Sequence, residues 1–329
     1  MSKFVISGAP HIHSDENVHK IMWGVVIALS PTFLMSVYFF GLHALITVAV
    51  SVASCLFFEW AITKYLLKKP ISVRDGSAVI TGLLLAFNLP SNLPFWMTMI
   101  GALVAIGIAK MAFGGLGNNP FNPALMGRAF LLISFPVAMT TWPLIKPIFG
   151  DNLLFDAVTG PTPFGFIKEQ MATGIPMDEI MRNVPSWASM LIGSRGGALG
   201  EVSALAILLG GLYLLWRKII TWHIPVSFIG TVLVFAAILW FINPNEFVNP
   251  WIHILSGGLM LGAIFMATDM VTSPMSRGGQ LTFGVGCGLL TIIIRVWGAY
   301  PEGVSFAILI MNALVPLINK AFKPRVFGH

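Results

Sequence analysis

Apolar runs recur along this chain at the length a bilayer demands, and no other feature constrains its fold as strongly. A helix needs roughly 20 apolar residues to cross about 30 Å of hydrocarbon. The sequence marks ten runs, at residues 21–40, 42–66, 78–89, 94–113, 123–139, 203–216, 223–242, 251–270, 281–297 and 304–318. Of all residues 56% are hydrophobic and 10% charged, where a soluble domain carries about 25% charge. A backbone group left unsatisfied in hydrocarbon costs several kcal/mol, and no barrel-like alternation is present, so each run is expected to be helical. The expected class is an all-α polytopic membrane protein with about ten transmembrane helices.

The net charge of +6 does not point to nucleic acid, because the basic residues fall in short connections between apolar runs. With the N-terminus placed in the cytoplasm and sides alternating, thirteen of the nineteen Lys and Arg lie on the cytoplasmic side. Five lie opposite (Lys146, Lys168, Arg182, Arg195 and Arg295), and Arg128 falls inside a run. Such a bias puts both termini in the cytoplasm. The expected organisation is a cytoplasmic tail (1–20), a five-span half (21–139), a long extracytoplasmic loop (140–201), a second five-span half (202–319) and a cytoplasmic tail (320–329). Five spans per half make the halves inverted with respect to each other, as in many transporters. Short glycine-interrupted segments at 78–89 and 256–268 occupy matching positions. The first twenty residues hold no hydrophobic stretch with a cleavage site, so the first span is expected to serve as its own targeting signal.

The extracytoplasmic loop carries Phe155-Asp156-Ala157-Val158-Thr159-Gly160-Pro161-Thr162-Pro163. Asp, Thr, Gly and Pro are turn residues, so a surface turn is the plain reading, and a cluster of hydroxyls and a carboxylate out of reach of lipid is the functional one. Arg74-Asp75-Gly76 reads as a helix cap or as a ligand site at a broken helix. The segment 114–123, with Asn119, Asn122 and three glycines, reads as a helix start with Asn as cap and Pro next, or as an amide-rich nest for an anionic or multiply hydrogen-bonding ligand. Acidic residues in or beside apolar runs are expensive. Glu59 reads as a snorkelling partner of Lys64, and Asp269 and Glu302 as boundary caps. All three are also candidates for ion coupling. His223 and His253 lie beside Trp at span ends, as interfacial belt residues do. Cys55 and Cys287 sit in apolar runs without a CxxC or Cys/His cluster, which argues against an iron–sulfur or zinc site held by this chain alone.

Several of these stretches together resemble the RnfD family, a membrane component of the Rnf electron-transport complex. They are Gly114-Gly115-Leu116-Gly117-Asn118-Asn119-Pro120-Phe121-Asn122-Pro123-Ala124, Leu131 to Val137, Trp222 to Phe228, Leu255 to Ala263, Tyr300-Pro301-Glu302-Gly303 and the terminal Pro324 to His329. The resemblance runs in order over nearly the whole chain. That family is related to the NqrB component of the sodium-pumping NADH:quinone oxidoreductase, which typically has a longer N-terminal extension. The resemblance implies FMN joined through its phosphate to a threonine in an Asp-x-x-Ser/Thr-x-Ala-Thr motif. Here this falls on Asp156, Thr159 and the acceptor Thr162, with Gly160 in the turn and Pro161 where the family has alanine. Such an ester calls for an accessible hydroxyl on a flexible loop and a separate flavin transferase outside the cytoplasm. The related NqrB component also holds a non-covalent riboflavin toward the cytoplasm, which the amides of Asn119 and Asn122 would suit.

The function so implied is that of a flavin-carrying inner-membrane component of an ion-translocating ferredoxin:NAD+ oxidoreductase. It would relay electrons across the membrane alongside the A, B, C, E and G components of the Rnf complex while Na+ or H+ moves. No dinucleotide fingerprint or cysteine cluster is present, so NAD and ferredoxin would meet other components. The alternatives are the NqrB component of the quinone reductase and, in a different class, a small-solute permease.

Overall fold

A computed structural model describes residues 17–68, 73–143, 159–193, 196–298 and 302–323. Helix underlies each of the ten apolar runs. The first two runs form α1 (Val18–Ala61), which breaks at Gly41, where φ is 61° and ψ −140°, and ends in a π-helical turn (Ile62–Leu66). A 3-10 turn (Val73–Asp75) leads into the short α2 (Ser77–Phe87), and α3 (Phe95–Leu103) continues into a second π turn (Val104–Ile108). Asn122 caps α4 (Pro123–Ser134) by accepting from the Ala124 and Leu125 amides at 3.1 and 3.3 Å, as the Asn-Pro pair predicts. The one-turn α5 (Pro136–Thr140) follows. The second half comprises α9 (Ala204–Trp216), α10 (His223–Ile242), α11 (Pro250–Leu255), the single turn α12 (Leu259–Leu261) running into a π turn (Gly262–Met266), α13 (Arg277–Trp297) and α14 (Val304–Ala321). Among the described residues, five helical stretches are long and apolar enough to cross a membrane: 18–66, 95–113, 223–242, 277–297 and 304–321.

The interval 140–201 departs from the bare loop expected of it. It holds a two-residue antiparallel ladder, β1 (Trp142–Pro143) with β2 (Thr159–Gly160), and the helices α6 (Pro163–Ala172), α7 (Met177–Asn183) and α8 (Trp187–Ile192). Phe164, Ile167, Met177 and Ile180 pack with Val248 and Ile252 into a small core separate from the main one. Helices α6 and α7 therefore pack against the first turn of α11 and the residues just before it.

Where the backbone breaks at depth, other parts of the protein satisfy it, as hydrocarbon requires. Past the end of α2, the carbonyls of Phe87 and Leu89 accept from the amides of Gly200 (2.8 Å) and Leu199 (3.2 Å). A Cβ on Gly200 would stand 2.4 Å from Phe87 Cβ, so only glycine lets these segments meet. The Leu199 carbonyl in turn accepts from Ser36 Oγ at 2.6 Å.

Arg128 of α4, 4% exposed, joins the two halves. Its Nη1 donates to Asn88 Oδ1 (2.9 Å), at the end of α2, and to Ser305 Oγ (2.7 Å) on α14. Its Nη2 forms an ion pair with Glu302 and lies 4.0 Å from Glu201 Oε1. Glu302 is therefore a buried ion-pair partner and not the cap expected of it, since Gly303 is the N-cap of α14 and no side chain caps that helix. Removing one partner of a buried pair leaves the other charge without compensation, at a cost of about 3–5 kcal/mol. Arg128→Met is expected to lose stability on that scale, read as a lowered unfolding midpoint in detergent. The double variant Arg128→Met/Glu302→Gln is expected to recover a large part of the loss, and a strictly additive double-mutant cycle would contradict the pairing.

Candidate functional site

The expected site residues fall at two ends of the helix bundle. Thr162 is the N-cap of α6, and its Oγ1 accepts from the Gly165 amide at 3.1 Å. Pro163 in the first turn has no amide to satisfy, and its fixed φ favours this start. Thr162 is 3% exposed, so the hydroxyl is tucked into a helix start and not displayed on a flexible loop. A Cβ on Gly165 would come within 3.2 Å of Thr162 Oγ1, so the space beside that oxygen depends on a glycine three residues on. Thr159 and Gly160 lie in β2, exposed and half-buried respectively. Asp156 lies outside the described residues.

Two contacts pin α6 to the end of α13. The Arg295 guanidinium lies 4.9 Å from the Phe164 ring centroid, and Lys168 Nζ donates to the Gly298 carbonyl at 2.7 Å. Burial lowers the Lys168 ammonium below the usual lysine range. Arg295 is 1% exposed and also donates to the carbonyls of His253 (2.6 Å) and Ser256 (3.1 Å), holding α11 where its helix breaks. His253 is 3% exposed and packs against Phe164 at 4.8 Å. It is a core residue and not the belt residue expected. His223, stacked on Trp222 at 4.2 Å and half-buried, keeps the belt description.

At the opposite end, a small cleft with a free volume of about 90 Å³ gathers Ser77, Thr81, Lys110, Asn119, Asn122, Thr268 and Asp269. Ile21, Met22, Leu214 and Phe265 supply its apolar walls. Asn119, Asn122 and Asp269, which the sequence named for separate roles, line the same cleft. Gly114, Gly115 and Gly117 adopt φ of 112°, 98° and 95°, a left-handed run that only glycine holds cheaply. The Asn122 side chain is already committed, since Nδ2 donates to the Met266 carbonyl at 3.2 Å while Oδ1 caps α4. Asn119 Nδ2 donates to the Phe121 carbonyl at 3.1 Å. Asp269 is half-buried and accepts from Thr272 Oγ1 at 3.1 Å, forming no ion pair among the described residues.

Glu59 corrects the pairing expected of it. It is fully buried and binds Lys110 Nζ at 2.6 Å, while Lys64 lies over the Trp60 and Tyr65 rings at 4.9 and 5.4 Å. Lys110 is 2% exposed and donates also to Ser77 Oγ at 2.6 Å. Asp75 Oδ1 accepts from the Ser77 amide (2.8 Å) and hydroxyl (2.6 Å) from the turn ahead of α2, whose N-cap is Gly76. Charge counting places Lys110 and Arg295 among connection residues. Removing one from each side leaves twelve against four with the same sign. Sequence reasoning passes over Lys110, Arg128 and Arg295 as site residues, although a cation next to or inside an apolar run is itself the signal.

The profile of the NQR2, RnfD, RnfE family matches residues 5–328. Among similar proteins, the D component of the Na+-translocating ferredoxin:NAD+ oxidoreductase complex of Acetobacterium woodii is 46% identical over 325 residues, covering 98% of this chain and 95% of that protein. The D component of the proton-translocating ferredoxin:NAD+ oxidoreductase complex of Clostridium ljungdahlii is 44% identical over 328 residues, covering 99% and 96%. The D component of the ion-translocating oxidoreductase complex of Stutzerimonas stutzeri is 42% identical over 329 residues, covering 95% and 93%. Matched from end to end by both profile and relatives, the chain belongs to the NQR2, RnfD, RnfE family.

Proposed function

We infer that this chain is the membrane-embedded D component of an ion-translocating ferredoxin:NAD+ oxidoreductase complex, a redox-driven translocase to which it contributes no complete reaction by itself. The observation that carries this reading is the unbroken match to D-component proteins at 42–46% identity. Those names favour the Rnf assignment over the NqrB component of the same family, and they set aside the permease. The other components of the complex, A, B, C, E and G, would supply the sites for NAD and ferredoxin. The ten helical runs are taken as ten crossings of the cytoplasmic membrane, in two inverted halves with both termini in the cytoplasm.

Two flavin sites fit the residues present. FMN esterified to Thr162 would place its phosphate at the N-terminus of α6, where the helix dipole and the Gly165 amide favour an anion. Gly165 leaves room beside the oxygen that would carry it. The burial of Thr162 means that a flavin transferase acts before α6 docks on α13. A non-covalent riboflavin is assigned to the side of Asn119 and Asn122, where the inner cleft, with a free volume of about 90 Å³, has to open to admit the ring. Because the Asn122 amide is committed, Asn119 and Lys110 are the residues that would contact the ring. Bound flavins would supply the stepwise electron transfer that no side chain here can perform. The remaining residues position these groups and exclude water. Glu59 and Glu302 are occupied by Lys110 and Arg128, so ion coupling falls to Asp269, the acidic candidate that lines the cleft.

In a denaturing gel under ultraviolet light, the chain is expected to fluoresce near its mass of 35.7 kDa. Thr162→Val is expected to abolish that band and the corresponding mass increment, while Thr162→Ser retains part of both. A wild-type protein without fluorescence would rule out the covalent flavin.

A further inference from the structure

The π turn that ends α1 reshapes one outer face of the bundle. In an α-helix, residues five apart point about 140° away from each other, but a π turn adds one residue to the helical turn. Across Ile62–Leu66, where the Leu67 amide donates to the Ile62 carbonyl at 2.9 Å, Tyr65 comes round to meet Trp60 edge-on at 5.6 Å. Lys64 Nζ rests over both rings, 4.9 and 5.4 Å from their centroids, and is positioned by them although it is exposed. Beside this aromatic pair runs an open groove with a free volume of about 660 Å³. Leu56, Phe57 and Trp60 of α1 line it on one side, Val73 and Arg74 of the 3-10 turn on the other. That is the size of an ordinary small-molecule site, about 300–1,000 Å³. The two ends of the groove differ in chemistry. Phe57 precedes Lys64 by two helical turns, roughly 10 Å deeper along the helix, and the wall there is apolar. The other end carries Lys64 and Arg74, with Lys68 following in the chain. All three are exposed and form no ion pair with a carboxylate among the described residues. The neighbouring carboxylates are turned elsewhere, Glu59 being buried against Lys110 and Asp75 Oδ1 accepting from Ser77.

We propose that this groove binds one anionic phospholipid, with its phosphate at Arg74 and Lys64 and an acyl chain laid along Leu56, Phe57 and Trp60. A guanidinium offers paired donors that match two phosphate oxygens, and the ammonium adds a point charge. The apolar wall decides the source of the anion. A free phosphate would use only the basic end and leave Phe57, 56% exposed, uncovered. An acyl chain covers it and continues into the hydrocarbon beside α1. Trp and Tyr rings at the end of a spanning helix sit at headgroup level in a bilayer, which is where Trp60 and Tyr65 stand relative to Lys64. Basic residues next to such a helix are drawn to anionic headgroups. The bound lipid bridges α1 to the 3-10 turn and so steadies the turn whose Asp75 orders the start of α2. The proposal needs α1 to end at a membrane surface, and neither flavin site enters it.

The test uses the full chain, purified in detergent and stripped of lipid. Phosphatidylglycerol, phosphatidylcholine or inorganic phosphate is added in turn, bound lipid is counted by native mass spectrometry, and the unfolding midpoint is recorded. Wild type is expected to retain one phosphatidylglycerol per chain and to unfold at a higher temperature with it, at concentrations where phosphatidylcholine and phosphate do neither. Each Lys or Arg beside an anionic headgroup is worth about a fivefold change in affinity. Arg74→Gln is therefore expected to weaken retention about fivefold, and Lys64→Gln/Arg74→Gln about 25-fold. Lys320→Gln/Lys323→Gln, which removes the same charge at the end of α14, is expected to bind as wild type does. Equal losses in the two double variants would mean a diffuse attraction to basic surface and overturn the site. Equal retention of phosphatidylcholine by wild type would leave only an apolar groove, and stabilisation by inorganic phosphate alone would leave an anion site without a lipid. Either result overturns the proposal. If Lys64→Gln/Arg74→Gln does not fold, the single Arg74→Gln at its exposed position decides, and wild-type retention in that variant overturns the proposal as well.

Discussion

A single guanidinium, that of Arg128, holds together the parts of this fold that have least helix of their own. It binds the end of α2 through Asn88, the start of α14 through Glu302 and Ser305, and approaches Glu201 just ahead of α9. Helices in lipid have no hydrophobic driving force for burying apolar faces against one another, since acyl chains are equally apolar, and close packing and hydrogen bonds must supply it instead. Directional polar contacts must then decide which short helices meet and in what register. A buried pair adds little net stability, because desolvation offsets most of its attraction, but it penalises every arrangement in which either charge is left alone. Asn88 and Ser305 fit that role because they give Nη1 two neutral acceptors on different helices.

The same logic recurs wherever a helix stops inside the bundle. Arg295 donates to the His253 and Ser256 carbonyls at the end of α11. Lys110 holds the start of α2 through Ser77. Asn122 caps α4 and reaches across to the Met266 carbonyl at the end of a π turn. Broken ends carry unsatisfied amides or carbonyls; Arg295 and Asn122 each reach carbonyls on another element, while Lys110 ties the first side chain of α2. The breaks are therefore specified over long range, and a ligand cleft can be built between them without exposing bare backbone to lipid.

Long-range specification of this kind separates what is legible in the sequence from what is hidden there. Apolar run lengths locate the helices, Asn122-Pro123 announces the start of α4, and the glycine-rich segment before it announces irregular backbone. These are local signals. The partnership of Glu59 escapes a reading by proximity because Lys64 is five residues away in sequence, whereas Lys110 is fifty-one away and reaches Glu59 only after α3 folds back along α1. Arg295 and His253 read as surface residues because each lies near a span end. They are buried because α6 closes over them, and span boundaries alone do not show where a connecting helix will dock.

Thr162 has two local readings, turn residue and ester acceptor, and the geometry makes them compatible. As N-cap it already offers an oxygen to the first turn of α6, at the terminus where negative charge is most favoured. On the proposed attachment, the hydroxyl gives up its proton to become a bridging phosphate oxygen. The neighbouring anionic oxygens then take over the role of acceptor for the Gly165 amide. The cap is thus replaced by a stronger, charged one. Pro161 lies ahead of the cap and contributes no amide that the phosphate would need, so proline in place of alanine costs the modified helix start no hydrogen bond. Docking of α6 through Phe164 and Lys168 would then fix the linked flavin near the C-terminal end of α13, with its phosphate anchored at the start of α6.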